Sequence, residues 1–198
     1  MLLNKIKTFP IVLGSQSPRR KELLSALDLD FKVLVKSIDE SMPHDILPED
    51  AAEFIALKKL QAFNTIAFND KLIITADTVV VDSTGRVLGE PLTSNEAKSI
   101  LKDLSGNVHL VYTGVAILFN NVIRSFTCKT EVVFNTLSDE EIDYYVDKYK
   151  PFDKAGSYGI QEWIGRIGVA HINGTYENVM GLPTSQLYKE LIKIEKGL

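Results

Sequence analysis

The chain has 198 residues, is 45% hydrophobic, and carries 22 Lys and Arg against 26 Asp and Glu, for a net charge of −4. This composition excludes a disordered chain and predicts one domain, 1–198, and its acidic balance argues against a nucleic-acid partner. No apolar stretch approaches the roughly 20 residues of a membrane helix, no signal peptide is recognisable, and the single Cys128 allows no internal disulfide. We therefore expect a cytoplasmic protein with no membrane partner.

The first predicted strand, 9–13, runs into the turn Gly14–Arg20. Ser17 suits an N-cap and Pro18 suits the first helical position, so a helix is expected over 18–27. Helix N-termini attract phosphate, and a guanidinium binds phosphate oxygens in pairs. The alternative is an ordinary N-cap followed by two solvated arginines. We predict a polyphosphate-binding turn formed by Ser15, Ser17, Arg19 and Arg20.

A short strand, 31–35, is followed by the acidic residue Glu40. Apolar residues at helical spacing then predict a long helix from Pro48 to about Phe68, which carries Lys59. Taken alone, Glu40 and Lys59 resemble ordinary surface residues.

The most β-prone run, 72–81, contains Asp77. A carboxylate inside a buried strand is costly unless it is paired, hydrogen-bonded or metal-bound. Asp77 is therefore either a structural residue or a general base or metal ligand, with the Thr78 hydroxyl beside it. Glu40 is a candidate second acidic ligand, because Mg²⁺ prefers oxygen ligands.

The rest of the chain alternates hairpins and helices, which predicts an α/β fold with a mixed sheet. The expected elements are a turn at 82–85 into a strand at 86–88, a helix at 94–104, strands at 109–119 and 122–134, a helix at 139–149, a strand at 169–172, and a terminal helix from Pro183. The glycine-rich segment 153–168 fits no element.

Within that segment, Gly156 and Gly159 bracket Ser-Tyr and allow a ligand to approach the backbone. The amide of Gln161 could read a base edge. The alternative is a surface loop with an aromatic anchor. P-loop, dinucleotide-binding and serine-hydrolase motifs are absent, and the three histidines have no zinc-type spacing.

Six motifs in order resemble the Maf family of nucleoside triphosphate pyrophosphatases over about residues 11–191. They are Ser15-x-Ser17-Pro18-Arg19-Arg20, Asp39-Glu40, Ala76-Asp77-Thr78-Val79-Val80, Leu104-Ser105-Gly106, 153–161 and 178–183. The resemblance implies a mixed central sheet flanked by helices, in two lobes around a cleft as in inosine triphosphatases, and often a homodimer. It also implies hydrolysis of a nucleoside triphosphate to the monophosphate and pyrophosphate with a divalent cation, Mg²⁺ or Mn²⁺.

The 153–161 motif resembles the subgroup that acts on dTTP and UTP. By this resemblance Asp77 is the proton acceptor, and Arg20, Thr78 and Gln161 carry the substrate preference. The resemblance also assigns phosphate or metal contacts to Arg19, Glu40 and Lys59. We expect Glu40 and Asp77 to hold the metal.

One position departs from the family pattern. Glu90 stands where the family usually has a lysine near the triphosphate. An acid there either weakens substrate binding or helps to hold metal.

Two alternative functions stay open. One is hydrolysis of modified uridine triphosphates, and the other is a regulatory protein of cell division or nucleic-acid binding with weak or lost catalysis.

Overall fold

The computed structural model of the protein describes residues 3–197, so both ends of the predicted 1–198 domain lie outside the described residues. These residues form seven strands: β1 Ile11–Leu13, β2 Phe31–Val33, β3 Leu72–Val81, β4 Val87–Leu88, β5 Val108–Phe119, β6 Val122–Phe134 and β7 Val169–Asn173. The α-helices of the same residues are α1 Pro18–Ser25, α2 Pro48–Gln61, α3 Ser94–Leu104, α4 Asp139–Tyr149, α5 Trp163–Gly168, α6 Tyr176–Met180 and α7 Thr184–Lys196. No helix among residues 3–197 combines the length and apolar character needed to cross a bilayer.

The strands form one mixed sheet in the order β2-β1-β3-β5-β6-β7, with β4 paired to β3. β1 pairs in parallel with both β2 and β3, whereas the β3–β4 and β6–β7 pairs are antiparallel. The turn between β5 and β6 is Asn120-Asn121, and both residues have positive φ, 49° and 60°. Two-residue hairpin turns of this kind favour Asn. The mixed α/β sheet predicted from the sequence is confirmed.

The chain divides into two compact units. The first comprises residues 1–77, 113–128 and 181–198, and the second comprises 78–112 and 129–180. The unit boundaries at 77, 112 and 128 fall inside β3, β5 and β6.

In the first unit, α2 packs against the sheet. Its residues Ala56, Leu60 and Phe63 form a buried apolar cluster with Val12, Ile73, Ala116 and Leu118 of the strands. The Thr75 hydroxyl, on the same face of β3 as Ile73, donates to the Ala56 carbonyl oxygen at 2.7 Å. The alternation predicted for β3 therefore directs its odd-numbered residues toward α2.

The helix predicted over 48–68 is wrong over residues 62–68, because α2 ends at Gln61. The chain then turns tightly, with the Phe63 N–H donating to Leu60 O and the Thr65 N–H donating to Phe63 O. Phe63 is buried, whereas Ile66 is 90% exposed. The apolar residues of α2 and those of the turn after it together fit the spacing of one helix, which is why the sequence predicted a single longer helix.

The other differences are smaller. β2 ends at Val33 rather than at residue 35. Part of the unassigned segment 153–168 folds as α5, and α6 was also missed. A Cβ at Gly165 would lie 2.0 Å from the Ile160 carbonyl oxygen, so α5 depends on a glycine for its close contact with the preceding turn.

In the second unit, α3 and α4 pack together and are joined by an ion pair between Lys98 Nζ and Asp143 Oδ1 at 2.8 Å. His109 of β5 is buried beside Phe134 and Tyr158, and its Nε2 lies 2.8 Å from the Tyr158 hydroxyl. Burial lowers the pKa of His109 from 6.5 to about 4. His109 is therefore a neutral core residue at pH 7.

Candidate functional site

Two parallel strands of the first unit, β1 and β2, end level with Ile74 of the neighbouring β3, which itself continues to Val81. Leu13 at the end of β1 is in register with Val33 of β2 and with Ile74 of β3. The turn at 14–17, the loop that carries Glu40, and Asp77 all follow these points in the chain. Ligands of open α/β sheets bind beyond the carboxyl ends of the strands, so this edge is the candidate site.

The turn after β1 is a connected polar structure. Ser15 is buried, and its hydroxyl oxygen accepts from the Ser17 N–H and from Arg20 Nη1, both at 3.3 Å. The Ser17 hydroxyl oxygen accepts from the Arg20 N–H at 3.4 Å as the N-cap of α1. The predicted cap is therefore present, and the structure brings Ser15, Ser17 and Arg20 together. Arg19 is the next residue of the same helical turn.

Arg20 has a second anchor that sequence reasoning missed. Its Nε donates to the carbonyl oxygen of Gly181 at 2.9 Å. Gly181 has φ of 105°, a conformation that other residues rarely adopt. The 178–183 motif thus holds one side of the Arg20 guanidinium. A positive φ is expected of a glycine in a turn, but nothing in the sequence indicated that the Gly181 carbonyl oxygen contacts Arg20.

The second group of predicted residues meets at Lys59. The Lys59 ammonium donates to Asp77 Oδ1 at 2.7 Å and lies 3.2 Å from Glu40 Oε2. The Asp77 side chain is 14% exposed and the Lys59 side chain 18%, whereas Glu40 is 52% exposed. A largely buried ion pair of Lys59 and Asp77, with the solvated carboxylate of Glu40 beside it, is therefore present where the sequence predicted an acid and a cation.

Close packing of α2 on the sheet places Lys59 there. A Cβ at Gly114 of β5 would lie 2.2 Å from the Glu53 backbone nitrogen, so the first turns of α2 rest directly on the backbone of β5. Helical side chains lean toward the N-terminus of their helix, and this direction carries the Lys59 ammonium back toward Asp77.

The loop that carries Glu40 is attached to α2 and to the turn after it. Lys58 Nζ donates to the Ser41 carbonyl oxygen at 2.9 Å, and Lys36 Nζ donates to the Ala62 carbonyl oxygen at 2.6 Å. The Ser41 hydroxyl and N–H donate to Asp39 and lower the pKa of its carboxyl group. These contacts hold Glu40 beside Lys59.

A divalent cation fits the two carboxylates. Glu40 and Asp77 both contact the Lys59 ammonium, so the two carboxylates converge on one position of positive charge. Among the described residues no group of three or more His, Cys, Asp or Glu side chains could hold a metal. Two carboxylates suffice for Mg²⁺, which keeps several waters and takes further oxygens from substrate phosphates.

The remaining two predicted residues belong to the second unit. Thr78 follows Asp77 in β3, and its side chain points to the opposite face of the strand. Gln161 lies in the turn before α5. Its Oε1 is buried and has no hydrogen-bond partner within residues 3–197.

A mixed α/β sheet with a serine–arginine turn and a lysine-bridged carboxylate pair at its parallel edge defines a phosphate-binding α/β protein. The sequence profile of the family described as Maf-like protein matches residues 10–194, and the chain belongs to this family.

Proteins of known name support this membership. The chain is 50% identical to the dTTP/UTP pyrophosphatase of Parabacteroides distasonis over 96% of its own length and 98% of that protein. It is 48% identical to the dTTP/UTP pyrophosphatase of Porphyromonas gingivalis over 96% of each chain. The Ham1 protein structure of Staphylococcus aureus aligns with a TM-score of 0.52 at 16% identity, covering 91% of this chain and 99% of that one. At this identity the alignment shows a shared fold alone.

Proposed function

We propose that this protein hydrolyses dTTP and UTP to the nucleoside monophosphate and pyrophosphate. The names of its relatives support this activity, since the pyrophosphatase of Parabacteroides distasonis aligns over 96% of the chain at 50% identity. The observation that carries the proposal is the contact of Lys59 with Asp77 and Glu40 at the sheet edge that also carries the serine–arginine turn.

The triphosphate is held by fixed cations and N–H groups. Arg20 is anchored through Nε to Gly181 and through Nη1 to Ser15, so its guanidinium charge is held at the turn where phosphate oxygens would bind. Arg19 on the same helical turn, Lys59, and the Ser15 and Ser17 region of the turn supply further positive charge and donors. Phosphoryl transfer depends mainly on positioning and on neutralising spread negative charge, which is what these groups provide.

Asp77 accepts the proton of the water that attacks the α-phosphorus. Its carboxylate is held in one orientation by Lys59 at 2.7 Å and is largely shielded from solvent. A base must lie within hydrogen-bond reach of the proton that it removes. Pyrophosphate leaves from the opposite side of the phosphorus and carries the negative charge that the arginines and Lys59 neutralise.

We propose Mg²⁺ or Mn²⁺ as cofactor, held by Glu40 and Asp77. Such a cation neutralises phosphate charge and orients the triphosphate. Glu90 replaces the lysine that the family usually has, and an acid there either weakens substrate binding or helps to hold the metal.

Base preference is assigned to Gln161, with Thr78 and Arg20. A glutamine amide offers one acceptor and one donor group. These match the N3–H and O4 of uracil and thymine, whereas cytosine presents an acceptor and a donor in the opposite order. The unpartnered Oε1 of Gln161 supports this assignment, because buried polar atoms are normally hydrogen-bonded.

Four expectations from the sequence remain proposals. They are a single domain over 1–198, a homodimer, a cytoplasmic location, and modified uridine triphosphates as further substrates. The regulatory function with weak or lost catalysis is the competing proposal, and the assay below separates it from hydrolysis.

The test is pyrophosphate release from UTP, dTTP, CTP and 5-substituted UTP, each with Mg²⁺, with Mn²⁺ and with a chelator. We expect release from UTP and dTTP much faster than from CTP, and loss of release with the chelator. Asp77→Asn should lower turnover by at least about 10²-fold, since that is the usual effect of removing a general base.

Asp82→Asn is the matched control, because Asp82 lies just beyond the end of the same strand, but within residues 3–197 its carboxylate bonds Thr84 and Arg86 of its own turn. It should keep turnover near that of the original protein. Turnover of Asp77→Asn within threefold of the original would remove Asp77 from the mechanism. No release from any triphosphate would favour the regulatory function.

A further inference from the structure

Glu162 stands next to Gln161 and is held by two side chains of the second unit. Its Oε2 accepts a hydrogen bond from the hydroxyl of Tyr145 on α4, and its Oε1 lies 3.3 Å from Lys154 Nζ. Tyr145 and Lys154 are buried, and Glu162 is mostly so. A buried carboxylate with both oxygens engaged is rigid and costly to rearrange.

The Tyr145 hydroxyl also holds the other end of the turn. It accepts from the Gly159 N–H at 3.0 Å, while the Glu162 N–H donates to the Gly159 carbonyl oxygen at 3.0 Å. One oxygen atom thus joins the first and last residues of the four-residue turn 159–162. A Cβ at Gly159 would lie 2.8 Å from the Glu162 Cδ, so this close approach requires glycine.

The residue on the other side of Gln161 is fixed as well. Ile160 is buried, and its carbonyl oxygen packs against Gly165 of α5. The backbone on both sides of Gln161 is therefore immobilised by contacts that do not involve Gln161 itself. The amide of Gln161 is the group whose position this arrangement determines.

We infer that Tyr145, Glu162 and Lys154 are positioning residues that set the preference for uracil over cytosine by holding the turn that carries Gln161. The inference rests on the proposed function, in which Gln161 contacts the base. An amide accepts either base when it can rotate or shift, because exchanging its O and N converts one pattern into the other. Discrimination between uracil and cytosine therefore requires an amide in a fixed position, because an amide that can reorient loses little binding free energy with the wrong base.

Tyr145 suits this role chemically. Burial and the hydrogen bond to Glu162 raise the pKa of the Tyr145 hydroxyl well above its ordinary value, so it remains a donor throughout the physiological range. Glu162 accepts from it and forms an ion pair with Lys154, and the Tyr145 hydroxyl oxygen in turn accepts from the Gly159 N–H. Every member of this cluster has a partner.

The test uses the ratio of dissociation constants for UTP and CTP analogues that carry a methylene bridge between the α- and β-phosphates. Tyr145→Phe removes the bridging hydroxyl and keeps the ring. We expect the preference for the uracil analogue to fall by about fivefold or more, the scale of one lost charge-assisted hydrogen bond. Glu162→Gln keeps an acceptor but loses the ion pair with Lys154, and should reduce the preference in the same direction.

Tyr144→Phe is the matched control. Tyr144 is the neighbouring residue on α4, is exposed, and its hydroxyl oxygen accepts a hydrogen bond from Lys148 of the same helix. It should leave the ratio unchanged. A Gln161→Ala background completes a double-mutant cycle, because a residue that acts through Gln161 has no further effect once the amide is gone. A general loss of structure would lower the affinities for both the UTP and the CTP analogue, and this effect would persist in the Gln161→Ala background.

The outcomes separate the two proposals. Pyrophosphate release by the unsubstituted protein tests the proposed function, while the analogue ratio reports on positioning whether or not catalysis occurs. An unchanged ratio in Tyr145→Phe and Glu162→Gln overturns the inference, as does an equal effect with and without Gln161. Absence of uracil preference in the unsubstituted protein also overturns it.

Discussion

Two carboxylates of one strand region show how surroundings decide the role of a residue. Asp77 contacts Lys59 of another element, whereas the Asp82 carboxylate bonds Thr84 and Arg86 of its own turn. Burial opposes ionisation of Asp82, but hydrogen bonds from Thr84 and Arg86 outweigh it and keep the pKa of this carboxyl below its ordinary value. Asp82 therefore stabilises a hairpin, and Asp77 is the carboxylate that we propose for catalysis.

His109 makes stability depend on pH. Burial lowers its pKa to about 4 from 6.5, so between these values the unfolded chain binds the proton and the folded protein does not. The stabilising contribution is complete above pH 6.5 and is lost as the pH falls toward about 4. The loss reaches roughly 3 kcal/mol. The measurement is urea unfolding between pH 7.5 and 4.

His109→Gln removes the titration and keeps an amide nitrogen near the Tyr158 oxygen. Its free energy of unfolding should change less over this pH window than that of the original protein. His44 is exposed, so His44→Gln serves as the control and should leave the pH dependence as it was. Equal slopes for His109→Gln and the original protein would contradict the assignment.

At the scale of elements, α2 determines the geometry of the site. It supplies Lys59, forms the core with β1, β3 and β5, and anchors the loop with Glu40 through Lys58. The position of the helix is fixed by the absence of a side chain at Gly114, where the two backbones nearly touch. A change in this contact moves Lys59 relative to Asp77.

Gly114→Ala should therefore affect both stability and the site. Its Cβ would meet the Glu53 backbone at 2.2 Å, which the backbone can relieve only by moving α2 away from the sheet. We expect a loss of at least about 2 kcal/mol in the free energy of unfolding. Thermal and urea unfolding measure it. Gly89→Ala is the control, because a Cβ there meets nothing within 4 Å.

A fall of less than about 0.5 kcal/mol in Gly114→Ala would show that α2 tolerates displacement. In that case the close contact with β5 would not explain the position of Lys59.

At the scale of the whole molecule, the chain passes between the two units after residues 77, 112, 128 and 180. Three of these positions lie inside strands, so neither unit is a continuous piece of chain that could fold from its own segment. This organisation supports the proposal of a single domain.

We therefore expect one cooperative unfolding transition. Calorimetric and van't Hoff enthalpies should agree within error, as they do for single domains of this size. Scanning calorimetry of the full chain provides the measurement, with far-ultraviolet and tyrosine signals as independent probes. Two resolved transitions, or probes with different midpoints, would contradict the single-domain proposal.

Local chemistry allowed many features to be predicted from the sequence. Ser17 caps α1 as expected, and Asn120-Asn121 forms the hairpin turn between the two long strands. The alternation along β3 placed Asp77 on the same face as Thr75, and both residues contact α2. Such features depend on residues within about one turn of each other, so the sequence contains the information for them.

Where local patterns were ambiguous, the predictions failed. The end of α2 was placed seven residues too late because Ile66 matched the helical spacing of the core residues although it is exposed. The short helices α5 and α6 gave no periodic signal. The role of Gly165 became visible only from its contact with Ile160.

By itself the sequence determined most of the strands, the helix caps and the mixed α/β class, since each is fixed by neighbours along the chain. Only the tertiary structure decided which residues meet. Lys59 contacts Asp77 across 18 positions and Arg20 contacts Gly181 across 161. Such contacts depend on which helix face packs on which strand, and packing is set by the shape and volume of many side chains together.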